Sequence, residues 1–290
     1  MNNIITYHTE IVNIQLVNTM VVSKVQNRYT ADLGDFGKFG LLRALCFSAD
    51  SDETRFKLGV IWYLVKDESH NEDGKYIRYL EHTDQNRLQY RNCDPLLYDA
   101  LSSIVLENTR SVEAIQDSCI LPIDTIYYDN ILEFTSLPTG TPEAILRRKQ
   151  RRTDWLNAGS SNMQDCNVIF FDPDNGLEVK SVAAHQNKGV KYLFFNELDY
   201  FSARGQNLII YHHMCRNDTA ANQVQQRFTQ LKEHLPSTYE IFAMLYKRGT
   251  LRAFFIAGNS QQAPILLKRA QLMLDKSGWK RHFDLHLPNY

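Results

Sequence analysis

The sequence has no Cys-x-x-Cys pair, no apolar run near the roughly 18 residues that cross a bilayer, and almost no net charge. Its five cysteines, Cys46, Cys93, Cys119, Cys166 and Cys215, are odd in number and lie far apart. That excludes a disulfide scaffold and a zinc knuckle, and it points to reduced thiols in a cytoplasm. A net charge of −1 excludes a histone-like basic protein, so any contact with nucleic acid has to come from a local patch. There is no internal repeat. Residues 1–24 lack the basic start, long apolar run and small-residue cleavage site of a signal peptide. What is present is 290 residues, 43% hydrophobic and 11% aromatic, which is enough for a large core and argues against disorder.

Residues 1–24 alternate apolar and polar without a helical period and read as an N-terminal arm or peripheral strand. Residues 25–290 read as a single α/β catalytic domain. Asp32 or Asp35 can cap a helix in which Phe36, Phe39, Leu42 and Leu45 recur at about one-turn spacing. Leu58–Val65 reads as a buried strand, followed by the segment KDESHNEDGK (66–75), which is too hydrophilic for a core. Residues 94–119 look helical, Thr125–Tyr128 is a short strand, and Thr141 caps a helix opened by Pro142. Val168–Phe171, Tyr192–Phe195 and Leu208–Tyr211 are strands, and 219–234 and 263–276 are helices. Glu240–Tyr246 and Leu251–Ala257 flank Lys247-Arg248-Gly249-Thr250 as an antiparallel hairpin. Alternation of strands and helices predicts a Rossmann-like, mostly parallel sheet with helices on both faces and a C-terminal antiparallel hairpin.

The strand VIFF ends in Asp172-Pro173-Asp174-Asn175-Gly176. Ligands of open α/β sheets bind outside the carboxyl ends of the strands, so two acids and an amide here could orient water, hold a metal or read a base edge. An Asx turn with solvated aspartates is the bland alternative. Asp35 and Lys38 open the first helix, where exposed amides and an ammonium could hold a phosphate. Equally, the glycines there could simply admit close packing. The glycine spacing is not that of a Walker loop.

His212 and His213 follow a strand on the same edge, and because adjacent strand residues point oppositely, at most one faces a pocket. Such a His could transfer a proton or steady an anion. Asn196 and Glu197 lie at another strand end, and Trp62, Tyr200, Phe201 and Tyr211 could stack on a base. Arg147, Arg148, Arg151 and Arg152, at i, i+1, i+4 and i+5, read as one helical face for DNA phosphates, or as a solvated face.

The VIFFDPDNG end resembles the catalytic strand of class I methyltransferases, where Asp/Asn-Pro-Pro-Tyr/Phe follows a similar apolar run. That resemblance is architectural over roughly residues 55–260. Asp174-Asn175 replace its Pro-aromatic pair, and Lys66-Asp67-Glu68-Ser69-His70 stands where a Gly-x-Gly cofactor loop belongs. Pro173-Asp174 with Glu178-Val179-Lys180 mimics the PD…ExK pattern of Mg-dependent nucleases, but three intervening residues are too few for a second strand. A third likeness runs the length of the chain. Asn27-Arg28-Tyr29, Gly34-Asp35-Phe36-Gly37-Lys38 and Phe171-Asp172-Pro173-Asp174-Asn175-Gly176 resemble motifs of a bacterial anti-phage defence family. This third likeness extends to a defence glycosylase acting on glucosylated hydroxymethylcytosine.

The residue readings lead us to expect a cytoplasmic enzyme that cleaves a base–sugar bond of DNA with neither cofactor nor metal. The resemblance to the defence family implies a glycosylase that excises a modified base from phage DNA. Asp172, Asp174, Asn175, His212 and Asp35 are the expected catalytic groups. Lys38, Asn196, Glu197, Tyr211 and His213 are expected to bind substrate, and Arg147, Arg148, Arg151 and Arg152 the DNA backbone. A methyltransferase, a Mg-dependent nuclease and a non-enzymatic binding module are the alternatives.

Overall fold

Short apolar runs bounded by turn formers set the strands of the central sheet. A computed structural model describes residues 27–47, 54–65, 76–276 and 278–289, so the segments 1–24 and 66–75 lie outside the described residues. The strands are β1 (Leu58–Trp62), β2 (Ile126–Tyr128), β3 (Val168–Asp172), β4 (Gly176–Leu177), β5 (Tyr192–Leu193), β6 (Asn207–His213), β7 (Tyr239–Tyr246), β8 (Arg252–Asn259) and β9 (Phe283–His286). Seven of them form one sheet in the order β2-β1-β3-β6-β8-β7-β9, and β4 and β5 form a small parallel pair. The β2-β1-β3-β6 half is parallel. β8 runs antiparallel to both β6 and β7, so the expected hairpin is present. β1 ends at Trp62 rather than Val65 because its last partner is Asp172, and Pro173 cannot donate to a continuing ladder.

The helices are α1 (Leu33–Cys46), α2 (Asp84–Asn86), α3 (Pro95–Leu106), α4 (Val112–Asp117), α5 (Pro142–Asn162), α6 (Asp199–Ser202), α7 (Ala220–His234) and α8 (Ala263–Lys276). The stretch 94–119, which looks helical in sequence, holds two helices, α3 and α4. Asn108 takes φ +55° after α3, and the Ser111 hydroxyl caps α4 by accepting from Ala114 N. Thr141 caps α5 as expected, accepting from Ala144 N at 3.2 Å.

Two apolar cores cover the sheet, and strand parity decides which residue enters which. Leu58, Val60 and Trp62 of β1, Val168 and Phe170 of β3, and Ile209 and Tyr211 of β6 face the core made with α1, α3 and α8. Ile61, Ile169, Phe171, Leu208 and Ile210 face the other, with Trp155 of α5, Phe201 of α6 and Phe228 of α7. This is the Rossmann-like layering that the alternating pattern predicts. Among the described residues no helix is long and apolar enough to cross a membrane. All five cysteines are free thiols.

Candidate active site

Chain order reverses between β1 and β3, since β2 lies to one side of β1 and β3 and β6 to the other. Such a switch point opens a crevice beyond the carboxyl ends of the strands. A cleft of about 460 Å³ lies there, lined by Trp62 and Tyr63 at the end of β1, Asp172–Asn175 at the end of β3, and Tyr211 and His213 of β6. The start of α1 closes one side with Asp32, Gly34, Asp35 and Lys38, while Lys191 and Arg252 stand at the rim.

α1 reaches this place because its glycines let it lie close to the sheet. A Cβ on Gly34 would lie 2.6 Å from the Arg252 guanidinium, and one on Gly37 would lie 2.6 Å from the Tyr246 ring. The Tyr246 hydroxyl also donates to Leu33 O at 2.9 Å. Asp32 is the cap: its Oδ1 accepts from Asp35 N at 2.9 Å, and Asp35 Oδ2 accepts from Ala31 N at 2.9 Å. Three residues on, one helical turn brings Lys38 onto the same face as Asp35. Lys38 Nζ is 2.8 Å from Asp35 Oδ1 and 2.8 Å from Asp172 Oδ2, tying α1 to the end of β3. The close-packing and functional readings of the glycine-acid motif are therefore compatible, because the glycines bring Asp35 and Lys38 to the cleft.

The electrostatics are those of too many acids for one ammonium. Burial works against the charge on Lys38, but Asp172 and Asp35 outweigh it and hold the ammonium well above its ordinary value. Burial raises Asp172, with Lys38 pulling it back and Asp35 and Asp174 adding to the rise. Asp32 is raised by burial and then by the neighbouring Asp35 charge. Asp172 has the Lys38 ammonium in direct contact, which favours its charged form. Its Oδ1 has no hydrogen-bond partner among the described residues, whereas both oxygens of Asp35 are engaged. The cation between these carboxylates is the chain's own Lys38 ammonium.

The walls are aromatic. Lys38 Nζ stands 5.3 Å from the centroid of the Trp62 ring, and the buried Trp62 indole N–H has no hydrogen-bond partner among the described residues. The Tyr211 hydroxyl lies 3.4 Å from His213 Nδ1. Asp174 pairs with Lys191 at 3.2 Å, and Asn175 is pinned by main-chain bonds, its N–H donating to Lys191 O and its C=O accepting from His213 N. Gly176 then takes φ +97°, and it lies so close to His212 that a Cβ would meet the His212 backbone.

Of the expected site residues, Asp35, Lys38, Asp172, Asp174, Asn175, Tyr211 and His213 come together in the cleft. Others do not. His212 points to the opposite face, where its Nδ1 accepts from Leu177 N and its Nε2 faces Arg227 Nε. Burial, followed by the Arg227 charge, lowers its pKa to about 3, so it is a neutral structural imidazole. Asn196 is exposed away from the cleft, and Glu197 is buried in an ion pair with Arg152. Phe201 is core, stacked edge-on against Phe171. Glu178 accepts from Phe195 N and does not join Asp174.

The arginine face also divides. Arg148 and Arg152 are 5% and 4% exposed, whereas Arg147 and Arg151 are exposed. Arg148 donates to the carbonyls of Pro138, His185, Phe134 and Leu137 and to Asn187 Oδ1. The reason is helical phase: Arg148 and Arg152 continue the stripe of Ala144, Trp155 and Gly159, which packs on the sheet. That stripe was legible in the sequence as apolar residues at one-turn spacing on either side of the two arginines. α5 also lies on the sheet face away from the cleft. The positive charge beside the cleft comes instead from Lys191 and Arg252, which no short motif marks.

Set against protein-family models, curated proteins and solved structures, the chain gives no match.

Proposed function

We propose that the cleft hydrolyses the N-glycosidic bond of a modified base in DNA and leaves an abasic site. The observation that carries this reading is Asp172, with one oxygen held by Lys38 and the other without a partner among the described residues, in a cleft walled by Trp62 and Tyr211. An ionised carboxylate held in this way can orient a water and stabilise oxocarbenium-like charge, as in glycoside hydrolysis. At about 460 Å³ the cleft suits a single nucleotide rather than a length of duplex, which favours a base taken out of the stack. The aromatic walls suit that flat ring, and Lys191 and Arg252 suit its phosphates. The resemblance to a defence family makes phage DNA with modified cytosines the substrate of choice, met in the cytoplasm.

The test is incubation of the full chain with phage DNAs bearing different base modifications, followed by mass spectrometry of the released bases. Release from one of these DNAs, with strand breaks only after alkali and none with Asp172→Asn, is the expected result. Release from none removes the reading.

One observation favours a second reading, a methyl-donor enzyme. Antiparallel β8 is inserted between β6 and β7, an arrangement expected of a class I methyltransferase sheet. Calorimetric titration with S-adenosylmethionine separates the two, because micromolar binding would replace the excision reading.

A further inference from the structure

Excision needs a second proton-handling group, since a departing base leaves as an anion unless it is protonated. His212 is excluded from that task by strand parity. The geometry points to Asp32 as the general acid that protonates the departing base, an assignment that rests on the excision reading above.

Asp32 lines the same cleft as Asp172 and is 6% exposed. Its Oδ1 is committed to the helix cap, and its Oδ2 has no hydrogen-bond partner among the described residues. The backbone around it is over-determined. The Tyr79 hydroxyl donates to Ala31 O at 3.1 Å and lies 3.4 Å from Asp32 O, and Arg110 Nε donates to Thr30 O at 2.8 Å. Ala31 takes φ +62°, a strained conformation for a residue with a side chain, and this turns the chain so that Asp32 meets the cleft.

The two aspartates also differ in their charged surroundings. Asp172 touches the Lys38 ammonium at 2.8 Å, whereas Asp32 makes no ion pair among the described residues. The charged and titratable groups facing Asp32 are Asp35 and Lys38 on its own helix, Arg252 from β8, Tyr246 from β7, and Tyr79 and Arg110 from the segments packed above. Burial and the Asp35 charge favour the proton, and Arg252 and Lys38 oppose it without reversing the direction. Asp172, held by an ammonium, is placed to take a proton, and Asp32, held by none among the described residues, to give one, which is the arrangement of a base and an acid in one site.

In the step, the C1′–N bond breaks and its electron pair leaves with the base, which takes the proton from Asp32 Oδ2. Water forms the new C1′–O bond and gives its proton to Asp172 Oδ1. The products are a neutral free base and an abasic hemiacetal, and exchange with solvent returns one proton to Asp32 and removes one from Asp172. No oxidant, reductant or co-reactant other than water is needed.

Asp32→Asn is the discriminating variant, because Asn caps a helix as well as Asp does but cannot give up a proton. On whichever of the modified phage DNAs the wild type acts, single-turnover base release by Asp32→Asn should fall about 10²-fold or more at neutral pH. The alkaline limb of the wild-type pH profile should vanish with it. The infrared carbonyl band of a buried protonated carboxylic acid should be present in the wild type and lost in Asp32→Asn. Release within threefold of wild type, an unchanged alkaline limb or a persisting band overturns the assignment and leaves excision intact. If the wild type releases no base, the excision reading falls and takes the assignment with it.

Discussion

Each face of the sheet buries a cationic side chain, and the two are finished differently. Behind the sheet, Arg152 donates to both Glu197 oxygens and to the carbonyls of Gly189 and Tyr192, and Glu197 accepts from Phe194 N as well. In front, one ammonium bridges Asp35 and Asp172, with Asp32 close by, and oxygens of Asp32 and Asp172 are left without partners among the described residues. Charge and burial are common to both clusters. What separates a site from a scaffold is the unmet hydrogen-bonding capacity beside a cavity, where a fully matched cluster only holds elements in place.

The contrast is broken most severely by removing one partner from each cluster. Arg152→Ala leaves Glu197 buried and uncompensated, so we expect a loss of about 3–5 kcal/mol in urea unfolding, with base release per folded molecule retained. Asp172→Asn should do the reverse. Lys38 keeps Asp35, so unfolding should shift by no more than about 1–2 kcal/mol, while base release falls at least about 10³-fold. Equal stability losses in the two variants, or activity lost in both, would erase the distinction.

Acid sharpens the comparison, because the structural face contains His212. Its pKa drops from 6.5 in the unfolded chain to about 3 in the fold, so the unfolded state binds the extra proton between those values. Stability is therefore complete above pH 6.5 and is lost as pH falls toward 3, at about 1.4 kcal/mol per pH unit from this group. Unfolding curves for wild type and His212→Gln across that window should differ in slope; parallel curves would remove His212 from the account. The smallest effect is expected at Ala31. Replacement by Gly relieves about 1–2 kcal/mol of left-handed strain but gives up about 0.8 kcal/mol of methyl burial and adds unfolded-state entropy. Ala31→Gly should thus leave the melting temperature nearly unchanged, and a drop of many degrees would show that the turn is not strained.

Much of this molecule is legible before any contact is known. Thr141 and Pro142 announce the start of α5, the hairpin around Lys247–Thr250 is where its flanking strands put it, and the acidic turn after β3 sits at the mouth of the cleft. The division of α3 from α4 was hidden, because an Asn in left-handed conformation looks like any polar residue in a helical run. Arg148 and Arg152 were misread because four arginines in six positions suggest a surface, although the apolar residues above and below them share their stripe. Arg252 and Lys191 carry no motif and belong to the site only by position.

Periodicity determined from the chain alone roughly where the main strands and the long helices lie, and that two acids and an amide close β3. It could not say which face of a strand meets which layer. That choice set His213 toward the cleft and His212 away from it. Only the tertiary structure joined Lys38 to Asp172 across 134 positions, because the glycines of α1 draw that helix onto the sheet at the edge where chain order reverses between β1 and β3.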